Sequence, residues 1–322
     1  MKALLLVGGQ ATRLRPLSIH RPKCLFPLNN KPIIDYLLEN LAETGCTEAV
    51  LAVNNLADQI ETYLGPEKYG IKLRYSYEET PLGTGGPVKL VEKMLRDDDF
   101  LVLNGDILSF INYKELMEKH LEKGSTATLT LKQAEDPTRY GVVKFGDNST
   151  IAEFIEKPTM EQAPSDWINA GCYALSPEIL DTIPSGKVSL EREIFPKLAA
   201  EGQLNAYRYH GEWIDIGVPE DYLKADKMMR NGPASIGEHT VIGTNTRVVD
   251  SIVWENTSIG KNTHIKDTII ANNSTIGDNV RIQGAVIAIN VTIENNITIN
   301  TAKIWPNTHI ETSITKPNQE IK

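Results

Sequence analysis

The chain has 322 residues, 42 Asp plus Glu against 33 Lys plus Arg, a formal charge of −9 and 41% hydrophobic residues. That length suggests two domains with ample material for buried cores, and 23% charged residues is ordinary for a globular protein, excluding wholesale disorder. No apolar run approaches the roughly 20 residues of a membrane span, and the run 3–7 stops at Gly8-Gly9, too short for a secretory leader. Cys24, Cys46 and Cys172 stand singly, which fits a reducing compartment and provides neither a disulfide frame nor a zinc knuckle. A cytoplasmic location is expected, and the Asn-x-Ser/Thr sites at Asn148, Asn256, Asn273, Asn290 and Asn296 then read as turn asparagines.

Charge is unevenly spread. No acid precedes Asp35, while Lys2, Arg13, Arg15, Arg21, Lys23 and Lys31 do, so a basic stretch opens an acidic protein. Such a stretch is either a solvated loop or a local anion site; it does not point to nucleic acid.

In chain order, residues 2–7 read as a buried strand, followed by a Gly-rich loop and a helix over 32–43. Strands are expected at 49–53, 73–77 and 100–103, with helical segments at 87–95 and 115–122 and a β run at 127–131. Segments 180–184, 191–200 and 219–229 complete an α/β alternation that stops at Asn231-Gly232-Pro233. The expected fold is therefore a Rossmann-like α/β domain with a mixed sheet over 1–232, and a second domain over 233–322.

In that second domain aliphatics recur in steps of 6, 6 and 5, a period of 17 residues. Ile236, Val253, Ile270, Ile287 and Ile304 make one column; Ile242, Ile259, Ile276, Ile293 and Ile310 a second; Val248, Ile265, Ile282 and Ile299 a third. No helix has this period. A parallel β-helix with three short faces per coil does, spanning about 234–314. With Gly237, Gly243, Gly260 and Gly277 following aliphatics, the pattern resembles left-handed hexapeptide-repeat β-helices. Acyltransferases use such domains, but the register has no inserted loop, and His264 and His309 should point outward. Packing and oligomerisation outside the active site are the expected roles.

The loop Gly8-Gly9-Gln10-Ala11-Thr12-Arg13-Leu14-Arg15-Pro16-Leu17 lacks dinucleotide-binding and Walker A spacing. Paired glycines let backbone N–H groups approach phosphate, and Thr and Arg add donors, although Gly-Gly alone also makes a tight turn. With Ser18, Pro22 and Lys23, the string resembles the G-G-x-G-T-R-L-x-P-L-[ST]-x-x-x-P-K signature of sugar-1-phosphate nucleotidylyltransferases. It departs at Ala11, where that family commonly has Gly; Ala fits if φ is negative there, and otherwise the loop must differ slightly.

Other segments extend the resemblance over residues 1–230. Pro81-Leu82-Gly83-Thr84-Gly85 resembles a nucleotide-binding loop, and Asn104-Gly105-Asp106 a strand end bearing a metal carboxylate. Tyr140-Gly141, Glu156-Lys157 and Asn169-Ala170-Gly171 resemble a sugar-phosphate pocket, and Trp213-Ile214-Asp215 a second metal carboxylate. With Ser189–Pro196, the chain is most similar to the mannose-1-phosphate guanylyltransferase branch.

This resemblance implies that Leu6, Gly8, Gly9, Ala11, Thr12, Arg13, Lys23, Pro81, Gly83, Thr84 and Gly105 bind nucleotide. Gly141, Glu156, Lys157, Asn169 and Gly171 would bind sugar phosphate, Asp106 and Asp215 would hold Mg²⁺, and Arg13, Lys23 and Asp106 would be catalytic. The partners implied are GTP and mannose-1-phosphate, with copies of the chain joined through the β-helix and neither nucleic acid nor membrane engaged. Glucose-1-phosphate uridylyl or thymidylyl transfer, and a non-catalytic nucleotide-sugar-sensing subunit, are the alternatives.

The chemistry is simple to state. A sugar phosphate oxygen, already anionic near pH 7, attacks the α-phosphorus of a nucleoside triphosphate. Two polyanions must meet, so catalysis is charge neutralisation and alignment. Glu78, Glu79 or backbone near Thr80 could accept hydrogen bonds from guanine.

Overall fold

The computed structural model describes all residues, Met1–Lys322. By packing, the chain falls into two compact units: Met1–Gly9 with Ile34–Trp213, and Gln10–Ile33 with Ile214–Lys322. No helix is long and apolar enough to cross a membrane, and the three cysteines are buried and unpaired.

The first unit is built on β1 (Lys2–Leu6), whose Ala3, Leu4 and Leu5 are wholly buried. β1 pairs in parallel with β2 (Glu48–Val53), and β2 with β3 (Ile71–Tyr77). On its other side β1 pairs in parallel with β4 (Phe100–Asn104). Strands β5 (Ala127–Gln133), β6 (Gly141–Phe145), β7 (Ile151–Glu156), β8 (Trp167–Leu175) and β9 (Leu204–Arg208) extend the sheet. β8 runs antiparallel to β4, β5 and β6, so the sheet is mixed, as expected.

Helix α1 (Ile33–Glu43) buries Ile33, Ile34, Leu37, Leu38 and Leu41, an apolar stripe at helical spacing. Helix α2 (Ala57–Leu64) was not expected from the sequence. The segment expected as one helix over 87–95 is two, Gly86–Leu90 and Glu92–Leu95, broken at Val91. Helix α3 (Tyr113–Lys123) begins where the Asn112 side chain accepts from the Glu115 N–H and ends at Gly124, φ 61°. Helices α4 (Phe195–Ala200) and α5 (Pro219–Met229) complete the helical set used below.

The second unit contains a parallel β-helix with three sheets, each a stack of strands two or three residues long. The three aliphatic columns pair in register, Val253 with Ile270 and Ile270 with Ile287, Ile259 with Ile276, and Ile265 with Ile282. The first sheet reaches further than the expected end at 314, because Gln319–Ile321 adds a sixth strand and Ile321 pairs with Ile304. The corners explain the many asparagines. Asn245, Asn262, Asn279 and Asn296 all have positive φ, as do Asn256, Asn273, Asn290 and Asn307. Asn tolerates this left-handed conformation better than most residues. Their amides also stack from coil to coil, as in Asn279 donating to Asn296 at 3.1 Å. His264 and His309 are exposed, as expected.

Candidate active site

In doubly wound sheets, ligands lie beyond the carboxyl ends of parallel strands where strand order reverses. Here β1 and β4 end side by side. The Gly105 N–H donates to the Leu6 carbonyl at 3.0 Å, and a Cβ on Gly105 would come within 2.3 Å of the Val7 side chain. Beyond these ends lies a cavity of about 300 Å³ lined by Leu6, Gly8, Gly9, Glu78, Pro81, Gly83, Thr84, Pro87, Asn104 and Asp106. Seven residues expected at the nucleotide or metal site therefore line one cavity. Glu78, raised above only as a guanine acceptor, lies there too. Its carboxylate accepts from the Leu82 N–H at 2.9 Å, and burial raises its pKa.

Gly83 makes the cavity wall possible. Its φ is +76°, and an added Cβ would stand 2.3 Å from the Val188 carbonyl oxygen. That close approach is bracketed by two backbone bonds, Val188 N–H to the Leu82 carbonyl and Gly85 N–H to the Val188 carbonyl, both 2.9 Å. Thr84 then donates to Glu191, which also accepts from Ser189 Oγ at 2.9 Å and Tyr173 Oη at 3.3 Å. Glu191 sits on a single π-helical turn, Leu190–Ile194, that leads into α4. The Ser189–Pro196 string carried Glu191 into the resemblance without a role at the site, because a π-turn has no periodic signature of its own, and Tyr173 lay in no motif.

The expected sugar-phosphate residues gather on β6, β7 and β8. Asn169 Nδ2 donates to Tyr173 Oη at 2.9 Å, and its Oδ1 accepts from the Gly171 N–H at 3.0 Å. Between Asn169 and Tyr173 the β8–β5 register shifts, and Gly171 adopts φ +69°. A side chain there would strike Ile107 and Asn104, so Asn-Ala-Gly marks a bulge beside the strand end carrying Asp106. Gly141 leaves room for the Phe154 ring and the Glu156 carboxylate. Burial, then the nearby Glu191 charge, raises the Glu156 pKa. Lys157 holds φ 51°, unusual for a non-glycine, with its N–H bonded to the Tyr140 carbonyl and its side chain exposed. Trp213 donates to the Ala170 carbonyl at 3.0 Å and packs edge-on against Tyr140.

The remaining signature residues, Ala11, Thr12, Arg13 and Lys23, belong to the second unit, as does Asp215. Ala11 has φ 46° and ψ 45°, so the positive-φ case applies: an alanine occupies a conformation that glycine adopts freely. Its carbonyl accepts from Ser18 Oγ at 2.8 Å and from the Leu14 N–H at 3.0 Å, which holds the turn closed. The Arg13 guanidinium lies against Gly217, where a Cβ would approach Nη2 to 3.0 Å. Lys23 is 8% exposed and its Nζ is 3.9 Å from Asp215 Oδ1. A lysine so buried needs a partner, and the carboxylate supplies one. The β-helix was expected only to assemble copies, away from the active site. In the structure it also packs with the signature segment 10–33, in one compact unit.

Residues 2–232 match the family model described as nucleotidyl transferase. The chain belongs to the nucleotidyl transferase family. Residues 227–320 match a second model, described as the GMPPB C-terminal domain. Among curated relatives of this nucleotidyl transferase, the catalytic subunit beta of mannose-1-phosphate guanylyltransferase from Drosophila melanogaster is 41% identical over 226 residues. That match spans 69% of this chain and 61% of the relative. The protein of the same name from Dictyostelium discoideum is 42% identical over 227 residues, 69% of this chain and 63% of its own. The chain thus spans a little over three fifths of the length of these relatives. Among solved structures, HddC from Yersinia pseudotuberculosis complexed with GMP-PN superimposes with a TM-score of 0.61 at 31% identity, covering 71% of this chain and 99% of that one. A putative glucose-1-phosphate thymidylyltransferase from Bacillus anthracis shares the fold, with a TM-score of 0.66 at 24% identity over 72% of this chain and 96% of its own.

Proposed function

We propose that this nucleotidyl transferase joins a nucleoside triphosphate to a sugar-1-phosphate with release of pyrophosphate, and that GTP and mannose-1-phosphate are its preferred pair. The observation that carries the reading is the cavity at the ends of β1 and β4, with paired glycines, the Pro81–Thr84 turn and Asp106 on its walls. The names of the guanylyltransferase relatives support the choice of base and sugar. Glu78 supports it physically, since a carboxylate in the cavity can accept the two N–H donors of a guanine edge.

In this reading the signature glycines and the Pro81–Gly85 loop bind nucleotide. Arg13 and Lys23 neutralise triphosphate charge, and Lys157 with Asn169 and Gly141 receives the sugar phosphate. The nucleophile is a phosphate oxygen that carries its charge at neutral pH, so the chain's task is to align and neutralise rather than to remove a proton. Nucleotidyl transferases generally use a divalent metal ion. Asp106 and Asp215 are proposed ligands, and Mg²⁺ the proposed ion. No group of three His, Cys, Asp or Glu is placed so that it could hold a metal ion by itself. A few hard oxygen donors suit an ion that takes most of its ligands from water and phosphate. When bound, such an ion supplies charge neutralisation at the phosphates.

We also propose residues 1–232 as the catalytic portion of the chain order and 233–322 as the β-helix, copies of the chain assembling through the latter in the cytoplasm. The direct test is pyrophosphate release from nucleoside triphosphate plus sugar-1-phosphate in the presence and absence of Mg²⁺. Asp106→Asn and Asp215→Asn should each reduce turnover strongly at saturating metal. Wild-type protein that binds nucleotide but releases no pyrophosphate would favour the sensing-subunit alternative.

A further inference from the structure

Lys23 stands in a short segment that is anchored within the second unit by the following contacts. The backbone closes a tight turn there, with the Leu25 and Phe26 N–H groups donating to the Pro22 and Lys23 carbonyls at 2.9 Å. Two residues before Lys23, the Arg21 guanidinium lies 4.5 Å from the centre of the Trp254 ring and pairs with the Glu255 carboxylate. Three residues after it, the Phe26 ring meets Trp254 edge-on at 5.1 Å and Tyr222 at 5.4 Å. Trp254 Nε1 donates to Tyr222 Oη at 3.1 Å, and that hydroxyl donates to the Pro27 carbonyl at 2.6 Å. Trp254 and Tyr222 are fully buried.

One and two coils later the same position is Ala271 and Ala288, both buried, and three coils later it is Trp305, so the column accepts small and large residues alike. At this coil the Trp254 ring meets Phe26 and Arg21, the two residues that bracket Lys23, and Glu255 pairs with Arg21. Lys23 in turn has its ammonium beside Asp215.

We infer that Trp254 and Glu255 are positioning residues for the signature lysine, acting through Phe26 and Arg21. The first coils of the β-helix thereby form part of the scaffold of the catalytic segment. This rests on the proposed nucleotidyl transfer, in which Lys23 neutralises triphosphate charge. Displacing a catalytic group by about an ångström costs up to roughly a hundredfold in rate, so the effect falls on kcat.

The test uses the full chain with its best substrate pair. Trp254→Leu should lower kcat about tenfold or more while leaving the KM for sugar-1-phosphate within about twofold, and Trp254→Phe should restore most of the rate. Glu255→Gln should lower kcat several-fold in the wild-type background and by less than about twofold in the Lys23→Ala background, since its effect passes through Lys23. Amide hydrogen exchange at Leu25 and Phe26 should accelerate in Glu255→Gln whether or not turnover is measured. Equal Glu255→Gln factors in both backgrounds, or unchanged kcat with unchanged exchange at Leu25 and Phe26, would overturn the inference. Should Trp254→Leu fail to fold, the Glu255→Gln cycle decides. Absence of pyrophosphate release by the wild type would sink the functional reading instead, and the exchange result would then judge the positioning on its own.

Discussion

Replacing Gly83 with Ala tests whether the Pro81–Gly85 turn builds the cavity proposed to bind nucleotide. Two effects add. The residue sits at φ +76°, where an L side chain costs about 1–2 kcal/mol. The new Cβ would also stand 2.3 Å from the Val188 carbonyl oxygen, a backbone atom that cannot swing aside. Relief requires the turn to part from residue 188, which breaks the Val188–Leu82 and Gly85–Val188 backbone bonds, each worth about 0.5–1.5 kcal/mol net. The sum is about 2–5 kcal/mol. Expressed wholly as lost transition-state stabilisation, that is roughly 30- to several-thousand-fold in kcat/KM for the nucleoside triphosphate. Part of it will appear as lower stability, so thermal unfolding of the same variant is measured beside pyrophosphate-release kinetics. A Gly83→Ala protein with kcat/KM within about twofold of wild type and an unchanged Tm would show that this turn does not shape the cavity.

Lys157→Ala is expected to raise the KM for sugar-1-phosphate more than that for nucleotide, whereas Lys23→Ala should chiefly lower kcat; like effects on both substrates from both variants would dissolve this division of roles. His120 is buried, with Nδ1 2.9 Å from Thr128 Oγ1 and Nε2 3.1 Å from Ser176 Oγ, and burial lowers its pKa against the opposing pull of Asp99. The unfolded chain then binds the proton more readily, so stability should fall as pH drops through about 6.5 towards the lowered native value. Urea unfolding at pH 7.5 and 5.5 should show a smaller difference for His120→Gln than for wild type. Thr301 occupies a β-helix corner at φ 43°, where the preceding coils place Gly284 and Asp267, so Thr301→Asn should raise the Tm by about 2–4 °C; a lower Tm would show that the threonine hydroxyl matters more than its backbone strain.

The β-helix was legible because each coil repeats one solution. Inward aliphatics at 17-residue spacing leave no alternative, and the departures lie at the two ends: Ile242 of the first coil is exposed, and the last coil is shortened, with Ile314 bridging to Ile299. The first unit was legible at the strand ends that carry the signature glycines and Asp106, and less so elsewhere. β8 is buried on both faces and bulged between Asn169 and Tyr173, so it shows no alternation and was visible only through Asn-Ala-Gly. Helix α2 starts after Leu56 in the left-handed region without a capping side chain, and its buried residues are only Ala57, Ile60 and Leu64. The signature loop could be read residue by residue, yet its attachment to the β-helix could not. That attachment is carried by contacts such as Phe26 on Trp254 and Asn29 N–H on Asp226, separated by about 200 residues, and no local pattern encodes them.

The most direct measurement of the central claim is a matrix of GTP, ATP, UTP and dTTP against mannose-1-phosphate and glucose-1-phosphate, scored by kcat/KM for pyrophosphate release with Mg²⁺. The proposed function predicts the highest value for GTP with mannose-1-phosphate. A buried polar edge left unpaired by the wrong base costs about 1–3 kcal/mol, so the margin should be about 5–150-fold. A higher value for UTP or dTTP with glucose-1-phosphate would contradict the choice of base and sugar, and no release with any pair would contradict nucleotidyl transfer itself.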